Sequence, residues 1–305
     1  MRNTARSWLA LLVFVATGMV TSIVSAEDVL VRVNGETITQ SDWDFLAVSR
    51  RIPQERRDAV RDQLLEILIE RQLMRTLLKS RGVEIDAKDL DSRIARLKQS
   101  LQESGEDPNA VLNRIGMSEE RLRNELALPL MWQEYLGMIV SPERLRKYFQ
   151  DHKSQFDGTK LRARQIFRKV PRSATDEDVA NTKQELVEIK QRIENGTLSF
   201  ADAVGQHSDA ISKDNGGDVG WFGWRGGLPA SVSEAAFQLK GDDISEPIRS
   251  PFGWHLLQVT ERKPGDISLE DARPVVLNTL SQELWRELVD KERQKAEIEF
   301  VKPSN

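Results

Sequence analysis

Apolar and polar positions alternate from Val29 to Val33, with Arg32 on the polar side, and Asn34-Gly35 follows as the two-residue turn that a type I′ hairpin favours. Glu36 to Thr39 is predicted to return as a second short strand. Thr39 and Asp42 form a capping-box pair, and beyond them the period changes to that of amphipathic helices as far as about residue 150. The strongest stretch carries Val60, Leu64, Leu65, Leu68, Leu73, Leu77 and Leu78 at approximately helical spacing, with Gly82 where a helix ends. A second predicted helix covers Ala87 to Glu103, and Ser104-Gly105-Glu106-Asp107-Pro108 reads as a loop. Ser118 caps a third helix bearing Leu122, Leu126, Leu130 and Trp132, and Ser141-Pro142-Glu143 opens a fourth with proline at its first position.

From Leu161 the pattern shifts to short strands and glycine-rich turns, which places a domain boundary near Asp157-Gly158 and the end of the second domain near Pro264-Gly265. Ser268 and Asp271 then cap a last helix with an apolar stripe of Val276, Leu280, Leu284 and Leu288, extended by Trp285 and Val289. An isolated amphipathic helix is marginal in water, so this stripe needs a partner, and the N-terminal helices are the expected one. The closing alternation of Ile298 and Phe300 suits a strand added to the opening hairpin.

Composition narrows the picture. A chain of 305 residues, 39% hydrophobic and 30% charged with the signs interleaved, suits two globular domains rather than one. The formal charge is −4, and Arg2 and Arg6 are the charges that precede Glu27, so a chain beginning at Glu27 is more acidic still; nucleic acid is not the expected main partner. Those two arginines, the apolar run from Trp8 to Val20 and the small residues of Val24-Ser25-Ala26 have the three zones of a cleaved export signal, with the mature chain starting at Glu27. The alternative is an uncleaved anchor, but Thr17, Gly18, Thr21 and Ser22 interrupt the run before the ~20 residues that a span needs. With no cysteine in the sequence, disulfides, thiolate catalysis and cysteine-based zinc sites are excluded.

Between Lys160 and Arg262 several motifs occur in one order: the strand Leu161 to Phe167, a helix from Thr175 to Glu194 closed by Asn195-Gly196, Ser199-Phe200-Ala201-Asp202-Ala203-Val204, and His207-Ser208-Asp209. Asn215-Gly216-Gly217-Asp218-Val219-Gly220-Trp221-Phe222, Ala235 to Pro247 and Phe252-Gly253-Trp254-His255 complete the set. This stretch resembles the parvulin (PpiC-like) peptidyl-prolyl isomerases. The hairpin Val33 to Thr39 in turn looks like the start of the exported SurA/PrsA chaperones, which contain such domains. The resemblance implies an α+β chain: signal peptide 1–26, a SurA-like helical domain 27–157, a parvulin domain 158–264 with a four-stranded antiparallel sheet and flanking helices, and a C-terminal helix 265–305 that packs on the N-terminal domain.

The same resemblance implies a function in folding secreted or envelope proteins, in the periplasm or cell envelope, with unfolded or nascent polypeptides containing X-Pro bonds as partners and neither metal nor cofactor. It places the catalytic group at His255, Gln165 and Asp209, and the proline-binding residues at Leu228, Val232 and Phe252, with Trp221 and Phe237. Gln165 stands where the family usually has histidine, Ala210 where it has Asp or Cys, and Val232 where it has phenylalanine. Two classes of function therefore stay open: a proline isomerase with a weakened site, and a non-catalytic holdase that retains a degenerate parvulin domain. Trp221, Trp224 and Trp254 are either core aromatics or an exposed platform for client segments. His207-Ser208-Asp209 contains hydrolase residue types, but adjacent residues do not converge as a triad must, and Asp214, Asn215 and Asp218 lack the ligand alternation of a calcium loop.

Overall fold

The computed structural model describes residues 29–301, so the signal-peptide expectation lies outside the described residues. The chain divides into two compact units, one made of residues 1–141 with 281–305 and the other of 142–280. Unit 1 opens with β1 (Val29–Val33) and β2 (Glu36–Thr39), paired antiparallel through the Asn34-Gly35 turn. Helices α1 (Gln40–Ser49), α2 (Arg61–Ser80), α3 (Ala87–Glu103), α4 (Pro108–Arg114) and α5 (Glu119–Ile139) follow.

Unit 2 begins with the short helices α6 (Pro142–Asp151) and α7 (Lys153–Phe156), then β3 (Lys160–Lys169), α8 (Asp176–Glu194), α9 (Phe200–His207) and β4 (Asp218–Gly223). It continues through α10 (Ala230–Gln238), β5 (Ile248–Ser250) and β6 (Gly253–Lys263). Helix α11 (Leu269–Arg293) runs from unit 2 into unit 1 at Leu280/Ser281, and β7 (Ile298–Phe300) ends the described chain.

Local chemistry accounts for most element ends. The Thr39–Asp42 capping box starts α1, the Asp86 carboxylate accepts from Lys88 N–H at 2.8 Å to start α3, and the Ser118 hydroxyl accepts from Arg121 N–H to start α5. Composition misled at one point. Asp107 caps a helix in which Pro108 is the first residue, so α4 begins inside the stretch expected to be loop, and proline at that position costs nothing because its N–H would be unpaired anyway.

In unit 1, Val31, Ile38, Trp43, Leu64, Leu68 and Ile69 form one apolar cluster, and Met74, Leu77, Leu78, Leu128 and Met131 form another. Val289 is buried in the second cluster, with Trp285 and Leu288 beside it, and Trp132 Nε1–H donates to Ser281 Oγ at 2.9 Å. The C-terminal helix thus completes the N-terminal unit from Ser281 onward. β7 pairs antiparallel with β1 on the side opposite β2, giving a sheet of order β2-β1-β7. A largely buried charged group lies within the same unit: Glu125 accepts from Arg71 at 2.8 Å and from Arg75 at 2.6 Å, all three side chains being less than a fifth exposed.

Unit 2 is built on an antiparallel sheet of order β4-β3-β6-β5. Ile166 and Leu256 point from one face into a core with Leu186 and Ile189 of α8 and Phe200 and Val204 of α9. Leu161, Ala163, Leu257 and Val259 point from the other face under Val232, Ala236 and Phe237 of α10. The unit starts at Pro142. Asp157 C=O accepts from Ile267 N–H at 2.9 Å and Thr159 Oγ1 from Gly265 N–H at 3.2 Å, which ties the end of α7 to the segment before α11.

Candidate active site

Helix α10 covers only half of its sheet face. Side chains alternate along a strand, so the positions on β3 that continue the row Leu161, Ala163 are Gln165 and Phe167, and those on β6 that continue Val259, Leu257 lead to His255. In the β3–β6 register Gln165 lies opposite Leu257 and Phe167 opposite His255. Gln165 and His255 are therefore diagonal neighbours on one face. Beyond the edge of α10 these residues form the floor of a groove of about 940 Å³.

The floor is a chain of neutral hydrogen bonds. His255 Nδ1 lies 3.0 Å from Gln165 Oε1, and its Nε2 lies 2.7 Å from Ser250 Oγ, which also accepts from Phe252 N–H at 3.2 Å. Gln165 Oε1 can only accept, so Nδ1 carries the ring proton and Nε2 accepts from the serine hydroxyl. His255 is 5% exposed; burial first, and the nearby charge of Arg249 second, push its pKa down to about 4. The ring is uncharged at neutral pH and packs against Phe167 with centroids 4.7 Å apart. Ser250 is itself buried and does not line the groove, so this serine–histidine contact orients the ring and offers no nucleophile to a bound chain.

Two glycines set the floor's position. A Cβ on Gly217 would stand 2.5 Å from Gln165 C=O and 2.9 Å from Val204, and Gly217 has φ +81°; its carbonyl accepts from Gln165 N–H at 2.9 Å. A Cβ on Gly253 would stand 2.0 Å from Arg168 C=O, so the β5–β6 turn, with Phe252 at its tip, reaches β3 only with glycine there. The walls are mostly apolar: Phe252 and Pro251 from that turn, Val170 and Pro171 after β3, Leu228 and Pro229 before α10, with Ile211 fully exposed on the far rim and Lys169, Arg172, Asp209 and Asp218 as the charged lining.

The structure brings together His255, Gln165, Leu228 and Phe252 of the residues singled out from the sequence. Val232, Phe237 and Trp221 lie outside the groove, and Asp209 lies in it but is turned away from His255. Val232 is fully buried and Phe237 nearly so under α10, because both lie on the helix face that meets the sheet. Trp221 pairs with Arg162 across β3–β4 while Phe222 pairs with Leu161, so Phe222 takes the core face and Trp221 faces away, 46% exposed. Asp209 lines the groove, but its carboxylate accepts from Lys169 N–H at 3.0 Å and faces Arg168 at 3.5 Å instead of His255. Trp224 meets Phe237 edge-on at 5.3 Å and Trp254 donates to Val179 C=O at 3.1 Å, so these two are packing residues. Ser250, Phe167 and Ile211 were missed, although the hairpin pairing of Ile248 with His255 could have pointed to Ser250.

Among the described residues there is no cluster of side chains suited to a metal ion, and no helix is long and apolar enough to cross a membrane. A model of the PPIC-type PPIASE domain matches residues 166–261, and one of the SurA-like N-terminal domain matches residues 1–136. The foldase protein PrsA of Halalkalibacterium halodurans is 27% identical over 271 residues, covering 86% of this chain and 72% of its own length. The chaperone SurA of Nitrosospira multiformis is 30% identical over 185 residues, covering 58% of this chain and 41% of its own length, so the match spans less than half of that relative. A crystal structure of the peptidylprolyl isomerase PrsA from Bacillus anthracis superposes with a TM-score of 0.44 at 21% identity, covering 76% of this chain and 96% of that one. The chain thus carries a SurA-like N-terminal domain followed by a PPIC-type PPIASE domain, and is similar to PrsA foldases and SurA chaperones.

Proposed function

We propose that the groove of unit 2 takes X-Pro segments of unfolded exported proteins and isomerises them slowly, while the chain as a whole holds such clients. The observation that carries this reading is the neutral Gln165–His255–Ser250 chain on the floor of an apolar groove. Rotation about an X-Pro bond makes and breaks no covalent bond, and its barrier is close to the ~18–20 kcal/mol of an ordinary amide. Lowering it requires an apolar grip on the proline ring, a role that the lining residues Phe252 and Leu228 support, and hydrogen bonds that favour the twisted amide. A thousandfold acceleration needs about 4 kcal/mol of such preference. Gln165 supplies one donor: with Oε1 occupied by His255, its Nε2–H₂ is left for a bound chain.

Ala210 adds no polar side chain and the Asp209 carboxylate is engaged at Lys169 N–H, which keeps the rate low and favours a second reading, a holdase without catalysis. Export rests on Arg2, Arg6, the run from Trp8 to Val20 and Val24-Ser25-Ala26, which support placement of the mature chain in the cell envelope. The test is an exchange measurement on a short proline peptide with the mature chain and its Gln165→His/Ala210→Asp variant. The expected result is a weak but measurable wild-type rate that rises about tenfold in the variant, worth roughly 1.4 kcal/mol, with suppression of client aggregation unchanged. A wild-type rate equal to buffer, with no gain in the variant and holding intact, establishes the holdase reading instead.

A further inference from the structure

The sequence holds three Asn-Gly pairs, Asn34-Gly35, Asn195-Gly196 and Asn215-Gly216, and all three asparagines are exposed. In such a pair no side chain shields the glycine nitrogen, so it can attack the Cγ of the asparagine before it. The N–Cγ bond forms, the Cγ–Nδ2 bond breaks and ammonia leaves, which closes a cyclic imide. Water then opens the ring at either carbonyl. One product is aspartate; the other is isoaspartate, in which the side-chain methylene has become part of the main chain.

The three pairs differ in what holds the amide. Asn34 Oδ1 accepts from Glu297 N–H at 2.9 Å, and Asn34 N–H donates to Glu297 C=O at 2.9 Å. Asn195 Oδ1 accepts from Thr197 N–H at 3.1 Å and lies 2.7 Å from Thr197 Oγ1. The Asn215 amide makes no hydrogen bond among the described residues, so its Cγ can turn to the glycine nitrogen without giving up a partner. The nitrogens themselves do not separate Asn215 from Asn195. Gly216 N–H donates to Lys213 C=O at 3.2 Å and Gly196 N–H to Ile193 C=O at 3.0 Å, so each attack breaks one backbone bond and the side chain makes the difference.

Asn215 also stands where a longer main chain does harm. It ends the 3-10 turn Ile211–Asn215 on the lining of the groove, two residues before Gly217. Gly217 N–H donates to Ser212 C=O at 2.8 Å and Gly217 C=O accepts from Gln165 N–H at 2.9 Å. With a Cβ there only 2.5 Å from Gln165 C=O, this contact has no slack to absorb an inserted methylene.

We propose that Asn215 is a site of spontaneous deamidation, and that its isoaspartate product displaces Gly217 and with it Gln165, so that the groove loses its floor with age while both units stay folded. The modification is the same whatever the groove binds. The aspartate product keeps the main-chain length, adds one negative charge beside Asp214 and leaves the floor in place.

The test ages the mature chain at mildly alkaline pH and follows the three asparagines by peptide mass mapping, with fragmentation that separates aspartate from isoaspartate. Amide resonances are recorded on the same samples. Asn215 should convert about fivefold or more faster than Asn34 and Asn195, the factor expected from one hydrogen bond that the others must break. The Gln165 and Gly217 amides should gain a second set of resonances that grows with the isoaspartate fraction, while those of Leu64 to Leu78 do not move. In Asn215→Gln and in Asn215→Ser, which cannot close this ring, the second set should be missing after the same treatment. Conversion of all three pairs at one rate, or fastest at Asn34 or Asn195, overturns the choice of Asn215. Conversion at Asn215 that leaves the Gln165 and Gly217 resonances single overturns the link to the floor. A second set that appears equally in Asn215→Gln and Asn215→Ser assigns the change to another residue and overturns both.

Discussion

Each unit of this protein buries a small polar network, and the two networks are opposites. In unit 1 Glu125 sits between Arg71 and Arg75, charged and paired within itself. In unit 2 Gln165, His255 and Ser250 are uncharged, and the chain ends on an amide that faces a groove. An ionic group of this kind fixes how helices pack, although Arg75 Nε has no partner and Arg75 and Glu125 line a cavity. A neutral one tolerates a dry apolar neighbour such as a proline ring, at the cost of being easily disturbed by protonation. The units also differ in how they are made from the chain. Unit 2 is one continuous segment, whereas unit 1 needs residues from both ends of the sequence.

The largest expected effect comes from breaking that second difference. Ending the chain at Leu280 removes Trp285, Leu288, Val289 and β7 from unit 1. At roughly 1.5 to 3 kcal/mol per buried side chain the loss rivals the whole stability of a small domain. Hydrogen-exchange protection from Leu64 to Leu78 should collapse while that of Ile166 and Leu256 persists; equal protection in both units before and after truncation would refute the dependence.

A smaller effect separates the networks themselves. Glu125→Ala leaves two largely buried guanidiniums facing each other and should cost unit 1 about 3 kcal/mol, measured by urea unfolding. Burial already pulls Arg71 below its ordinary value, with Glu125 acting in the opposite sense, so restoring the volume with Glu125→Gln should recover only part of the loss. A cost below about 0.5 kcal/mol, the range of ordinary surface substitutions, would mean that the group is not largely buried.

The smallest effect is on unit 2 and depends on pH. The folded-state pKa of His255 is about 4, below the unfolded value near 6.5, so its contribution is complete above pH 6.5 and disappears as pH falls through that window to about 4. The ceiling is about 3.5 kcal/mol, because each tenfold change in proton affinity corresponds to ~1.4 kcal/mol, and relaxation around the charged ring keeps the observed loss below the other two. Amide protection at Ile166 and Leu256 should fall over this range, and the fall should be absent in His255→Gln. A wild-type profile that is flat between pH 6.5 and 4 would show that the ring is not held neutral.

What could be read from the sequence was mostly local. The hairpin turn, the capping pairs at Thr39 and Ser118, the span of α3 and the start of α11 depend on residues within a few positions of one another, and each was legible. The pair Gln165 and His255 was legible from the motif order, although the residues are 90 positions apart. That Val232, Phe237 and Trp221 lie off the groove was not legible, because the side of a helix or strand that meets the groove is decided by what covers the sheet. No pattern within α10 shows that its apolar side is spent on Leu161 and Leu257. The bonds that tie the end of α7 to Gly265 and Ile267 were not legible either, since they join residues more than a hundred positions apart.

The pairing of β7 with β1 has a consequence for the order in which the molecule is made. β1 leaves the ribosome early, and the strand that occupies its open edge consists of residues 298–300. At ordinary elongation rates residues 142–280 alone take roughly ten seconds to synthesise. Throughout that interval the first unit carries an unprotected strand edge and lacks the aromatic and aliphatic side chains of residues 285–289. Until residues 298–300 are made, that edge is open to pairing with the strand edge of another chain.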